Sequence, residues 1–137
     1  MTPAMRDALL DVRRPESEEE RMAREKIART RAALAAGGVL GTVAEVAIEH
    51  QVELDAVLSC SRAREVVHAR RAAWARIRAV WRWSYERVAR VFETTTHTVG
   101  DGVRRFEAWE REETTRIERV AAACLDEGSS DKGAAAA

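Results

Sequence analysis

Neither a disulfide framework nor a zinc site has a foothold in this sequence. Its two cysteines, Cys60 and Cys124, are far apart, with no CxxC pair and no neighbouring metal ligand, so both read as free thiols. Only two prolines interrupt 137 residues, and β-branched and turn residues are sparse beside alanine, arginine and glutamate, so the expected fold class is all-α. Long apolar runs are missing too. The longest, residues 32–41, is about half of the ~20 residues that span a bilayer and contains three glycines, which leaves no transmembrane helix. The N-terminus, MTPAMRDALLDVRRPESEEE, turns strongly charged instead of apolar and does not read as a signal peptide; a cytoplasmic location is expected. A chain of this length makes one domain with tails, which excludes a large multidomain enzyme. No nucleophile stands beside a plausible base, and His68 and His97 lie among arginines without clustered carboxylates. The expectation is therefore a protein with no catalytic activity, cofactor or metal.

What is present is an uneven distribution of charge under a net charge of zero. Residues 1–58 carry 8 basic and 11 acidic side chains, residues 59–105 carry 11 and 4, and residues 106–137 carry 4 and 8. All eleven basic residues of the middle segment are arginine, whose planar fork suits phosphates and guanine edges; the alternative is a solvated arginine-rich helix surface.

Residues 1–16 read as a flexible arm. Ser17-Glu-Glu-Glu20 has the capping-box form and opens a helix to Ala36. Its apolar residues Met22, Ile27 and Leu34 are sparse, which favours a solvated extension over a docking helix or half of a pair. Gly37, Gly38 and Gly41 read as a hinge at the end of a 17–41 segment. Thr42-Val-Ala-Glu45 looks like a second capping box starting a helix through His50, and Gln51 to Leu58 reads as a turn and short helix. A longer helix then runs to Val80, with Val66, Ala69, Ala73, Ile77 and Val80 on a core stripe that Trp74 and Trp81 extend; the places of Trp83 and Trp109 stay open.

Ser84 can cap a helix over Tyr85 to Phe92, and the Thr94-Thr-Thr96 turn can cap another from Thr98 to at least Trp109. The spacing predicts a helix-turn-helix: Ala89 is the small residue at the crossing, Val88 and Phe92 face the core, and Val99 and Val103 pin the second helix. Glu93 stands where a left-handed glycine is usual. Thr95, Thr96, His97 and Thr98 fall at the start of the second helix, where short polar side chains reach base edges and phosphates.

These residues resemble the C-terminal DNA-binding domain of DnaA, the bacterial replication initiator, over residues 42–107. Thr42-Val-Ala-Glu-Val-Ala resembles that domain's first helix and Val52-Glu-Leu-Asp-Ala-Val-Leu-Ser59 its short second helix. Ser61-Arg-Ala-Arg-Glu-Val-Val-His-Ala-Arg70 is similar to its basic loop and long helix. Ser84-Tyr-Glu-Arg-Val-Ala-Arg-Val-Phe92 and Thr95-Thr-His-Thr-Val99, followed by Val103-Arg-Arg-Phe-Glu107, are similar to its helix-turn-helix and signature. The resemblance implies a DnaA C-terminal-domain-like helical bundle, to which this chain adds an extra N-terminal helix and a helical extension over 108–124, while residues 125–137 have the composition of a disordered tail. It also implies sequence-specific binding of double-stranded DNA at a DnaA-box-like or related site, in a replication-associated or transcriptional role close to the nucleoid. By the resemblance, Arg62 enters the minor groove. Arg64 and Arg70 contact the backbone and bases beside it, Arg78 occupies the position of a phosphate-contacting residue, Arg71 joins them as a DNA-binding residue, and Thr95, Thr96, His97 and Thr98 read the base sequence. Alignment through Val99 and alignment through the histidine give two registers for the signature. No GxxxxGK[ST] loop occurs, so the resemblance is to the DNA-reading domain without its ATPase module. The implied state is a monomer or weak homodimer. The runner-up function is an adaptor that docks a protein partner through its N- or C-terminal helices.

Overall fold

A computed structural model describes residues 14–136, with side chains described through residue 126. Residues 1–13 of the expected N-terminal arm lie outside the described residues. Among those described the chain is all-helical, as its composition predicts, with α1 over Glu18–Ala36, α2 over Leu40–Glu49, α3 over Leu54–Leu58, α4 over Arg64–Arg76, α5 over Tyr85–Val91 and α6 over Thr96–Ala136. No single helix among the described residues is long and apolar enough to cross a membrane.

Local chemistry sets most of the helix ends. Ser17 Oγ accepts from the Glu20 amide at 3.1 Å while the Glu20 carboxylate accepts from the Ser17 amide, completing the capping box. Ser84 Oγ caps α5 through the Arg87 amide. α1, α2 and α5 end alike. The amide two residues past each C-cap returns to a carbonyl five residues back (Val39 to Leu34, Val52 to Ala47, Thr94 to Ala89), and the intervening residue is left-handed. That residue is Gly38 after α1 but Gln51 and Glu93 after α2 and α5, with φ of 56° and 54°.

The core gathers around α4 and the first half of α6. Val88, Ala89, Phe92, Val99 and Val103 are all buried, so the two helices meet through the side chains that the spacing assigns. α1 departs from the expected solvated extension, because Thr30 and Leu34 are fully buried and Ile27 packs against the core. Of the glycines after it, Gly37 is tightly packed. An ideal Cβ on Gly37 would stand 2.6 Å from Trp83 Cζ2, so that glycine is a close-contact point between α1 and the core.

Two expectations for the middle of the chain are corrected. Thr42 does not cap α2, which begins earlier, at Leu40, because the reversal at Gly38 buries Val39; Thr42 Oγ1 instead accepts from Trp81 Nε1 at 2.9 Å. The long helix to Val80 also stops being α-helical at Arg76 and continues as a π-turn over Ile77–Trp81, closed by left-handed Arg82. The wider turn rotates the stripe off the core, leaving Val80 64% and Trp81 45% exposed while Trp83 is buried in their place. At the other end, α6 runs beyond the expected stop near Ala123, and its backbone stays helical through Ala136, into the segment whose composition suggests a disordered tail. The alanines there favour that conformation.

Candidate nucleic-acid interface

Two features flank the first half of α6: the exposed start of the helix, and a basic groove beside its third turn. At the start, Thr95 Oγ1 accepts from the Thr98 amide at 3.1 Å and lies 2.7 Å from Thr98 Oγ1, so the turn hydroxyls order one another. Thr95, Thr96, His97 and Thr98 are all exposed. A helix N-terminus carries unpaired amides and about half a positive charge, which together favour an anionic group. The turn before it is anchored from behind. Arg29 of α1 donates from Nε and Nη2 to both carboxylate oxygens of Glu93, at 3.1 and 3.0 Å, and this pairing holds the Glu93 carboxyl below its ordinary range.

The groove lies between α4 and α6 and has a volume of about 720 Å³. Arg62, Arg64, Arg71 and Arg105 line it around Phe106, Trp109, His50 and His68. The His68 ring meets Trp109 edge-on at 4.4 Å and His50 at 5.1 Å. Burial, then the neighbouring His50 and Arg71, push its pKa down, so His68 is a neutral part of the aromatic floor. Close packing of α6 on α4 at Gly102 brings the floor together, because the aromatic edge of Trp74 occupies the space of a Cβ there.

The nine expected site residues divide. Arg62, Arg64 and Arg71 reach the groove, and Thr95, Thr96, His97 and Thr98 sit at the open end of α6. Arg70 and Arg78 instead make contacts within the fold. Arg70 is half-buried and donates to the carbonyls of Val57, Ala56 and Ser59 at 2.9, 3.4 and 2.7 Å, closing the C-terminal end of α3 together with Ser59, whose amide and hydroxyl also donate to the Ala56 carbonyl. Arg78 donates to the Trp83 carbonyl at 2.7 Å and lies 3.8 Å over the Tyr85 ring, fastening the π-turn to α5. Sequence reasoning missed Arg105, Phe106 and Trp109; their three- and four-residue spacing along α6 was the available signal.

Ion pairing follows the charge map. Arg14, Arg21, Arg24, Arg29 and Arg31 each pair with a carboxylate. Of the eleven arginines in residues 59–105, only Arg76, with Glu49, and Arg105, with Asp101, do so among the described residues. In comparisons with known proteins, no family model, no curated protein and no solved structure matches this chain.

Proposed function

We propose that residues 42–107 act as a DnaA-like helix-turn-helix domain that binds double-stranded DNA at specific sites, in a replication-associated or transcriptional role. The observation that carries this reading is the set of arginines without carboxylate partners among the described residues, Arg62, Arg64 and Arg71, beside an exposed, hydroxyl-lined helix start. Thr98 and Arg105 are seven residues apart on α6, about 10 Å along its axis, so both features lie within the reach of one duplex. The arginines neutralise phosphates and supply affinity, while Thr96, His97 and Thr98 approach base edges. The α5–α6 turn, with Ala89 at the crossing and a left-handed residue after Phe92, supports the helix-turn-helix assignment.

Fluorescence anisotropy of a labelled DnaA-box duplex and of its base-scrambled counterpart, at two salt concentrations, tests the proposal. Preference for the box supports both parts. Equal, salt-sensitive binding retains DNA binding and calls for unbiased site selection. No binding at low salt refutes the proposal in favour of the adaptor reading.

A further inference from the structure

Duplex DNA has a use for the charge of the groove between α4 and α6, but none for its aromatic floor. Along α4, Arg64, His68 and Arg71 recur at four- and three-residue steps and so share one face, and Phe106 and Trp109 do the same three residues apart on α6. The two helices thus bring a row of cations beside a pair of rings. Arg62, in the loop before α4, extends the cationic side. Glu65 is the one carboxylate on the lining, and on the α6 wall Arg105 is drawn to Asp101 at 2.9 Å. Among the described residues, Arg62, Arg64 and Arg71 keep their charge uncompensated by an ion pair.

The rings are packed together without being covered. Phe106 and Trp109 lie 5.6 Å apart and tilted by 31°, and the His68 ring meets Trp109 edge-on. Trp109 still keeps 42% of its surface open, and the space beside it, about 720 Å³, is of the size that takes a small organic ligand. Exposed aromatic surface among arginines is best covered by a partner that is flat at one end and anionic at the other. Within a base-paired duplex the faces of each base are already taken by its neighbours in the stack, so phosphates reach the arginines and nothing covers the ring. An unpaired nucleotide satisfies both, its base offering a π-face and its phosphates the charge.

We propose that this groove binds an unpaired nucleotide of single-stranded DNA, the base stacked on Trp109 and the adjoining phosphates held by Arg62, Arg64 and Arg71. The inference rests on the DNA-binding role given above to the same arginines, and adds an open strand as a ligand of the groove. Every base has a π-face, so the site accepts any sequence, unlike the base-edge contacts at the start of α6.

Anisotropy of a labelled oligothymidylate, compared with an oligomer of the same length built from abasic sites, tests this on the full chain. The two carry the same phosphates, so the difference between them reports the bases alone. Oligothymidylate is expected to bind about tenfold or more tightly than the abasic oligomer. Trp109→Ala should remove that advantage while leaving the affinity for the abasic oligomer and the helical circular dichroism unchanged, and Trp109→Tyr should keep most of it. Equal affinity of the wild type for the two oligomers overturns the proposal, as does an advantage that survives Trp109→Ala. The duplex titration run beside it separates the two readings. Duplex binding with no advantage from bases removes the open-strand site alone, and an oligothymidylate advantage without duplex binding removes the duplex role alone. No binding to any of the three removes both.

Discussion

Gly100 and Gly102 occupy the same helix two residues apart, and replacing each by alanine should move stability in opposite directions. A methyl group at Gly102 would be placed 2.7 and 2.9 Å from Trp74 Cζ3 and Cε3 and 3.2 Å from Arg71 Cγ. Trp74 cannot step aside, being buried and packed edge-on against Phe92 at 5.9 Å. Overpacking of this kind costs about 1–3 kcal/mol, and the better helix propensity of alanine returns about 1, so Gly102→Ala should lose up to about 2 kcal/mol. At Gly100 the nearest atom is Arg104 Nη1 at 3.5 Å, on a flexible side chain. There the propensity gain stands nearly alone, and Gly100→Ala should gain about 0.5–1 kcal/mol. The pair is then separated by roughly 2 kcal/mol, which urea denaturation resolves with both m-values unchanged. Equal stability of the two variants, or a Gly102→Ala protein more stable than the wild type, would refute the close approach of α4 and α6 on which the groove depends.

Arg70→Ala should lower stability by about 1–3 kcal/mol in the same assay, since it takes the guanidinium from the Val57 and Ser59 carbonyls. By contrast, Arg62→Ala should leave unfolding unchanged and reduce the salt dependence of DNA binding by about one ion in an anisotropy titration. The Thr30 hydroxyl is fully buried with no hydrogen-bond partner among the described residues, so Thr30→Val should stabilise the fold by about 1 kcal/mol in thermal denaturation. Gln51→Gly should add about 0.5–1 kcal/mol by relieving the left-handed φ of 56°, measurable by urea unfolding. Because the folded pKa of His68 lies below 6.5, the unfolded chain binds the proton more readily. Its contribution is complete above about pH 6.5 and is lost as pH falls through that value toward the lowered one. His68→Gln should flatten the stability profile across that window, and an unchanged slope would show that the imidazole is not desolvated.

The features legible in the sequence were those decided within a few residues. Ser17, Ser84 and Thr95 cap helices because a short hydroxyl three residues ahead of an amide acts through local geometry, and the α5–α6 spacing chose the correct buried side chains. Features set by distant partners were not legible. Gly37 read as a hinge because the Trp83 ring that needs its missing Cβ lies 46 positions further along the chain. Helical periodicity carried Val80 and Trp81 into the core because a single π-turn leaves no pattern of its own. Arg70 and Arg64 look alike in a basic segment, and only the position of the α3 carbonyls separates a guanidinium that completes the fold from one that faces the groove.

That separation sets two different rules of exchange within one arginine-rich stretch. At positions 70 and 78 the planar, forked head has fixed partners, since one guanidinium spans several carbonyls and the other joins a carbonyl to the Tyr85 ring below it. A lysine keeps the charge there and loses the fit. At positions 62 and 64 the side chain has no fixed partner among the described residues, and a lysine keeps most of what a polyanion would sense. A formal charge count treats the four positions as equal; tolerance to lysine would sort them into masonry and tools.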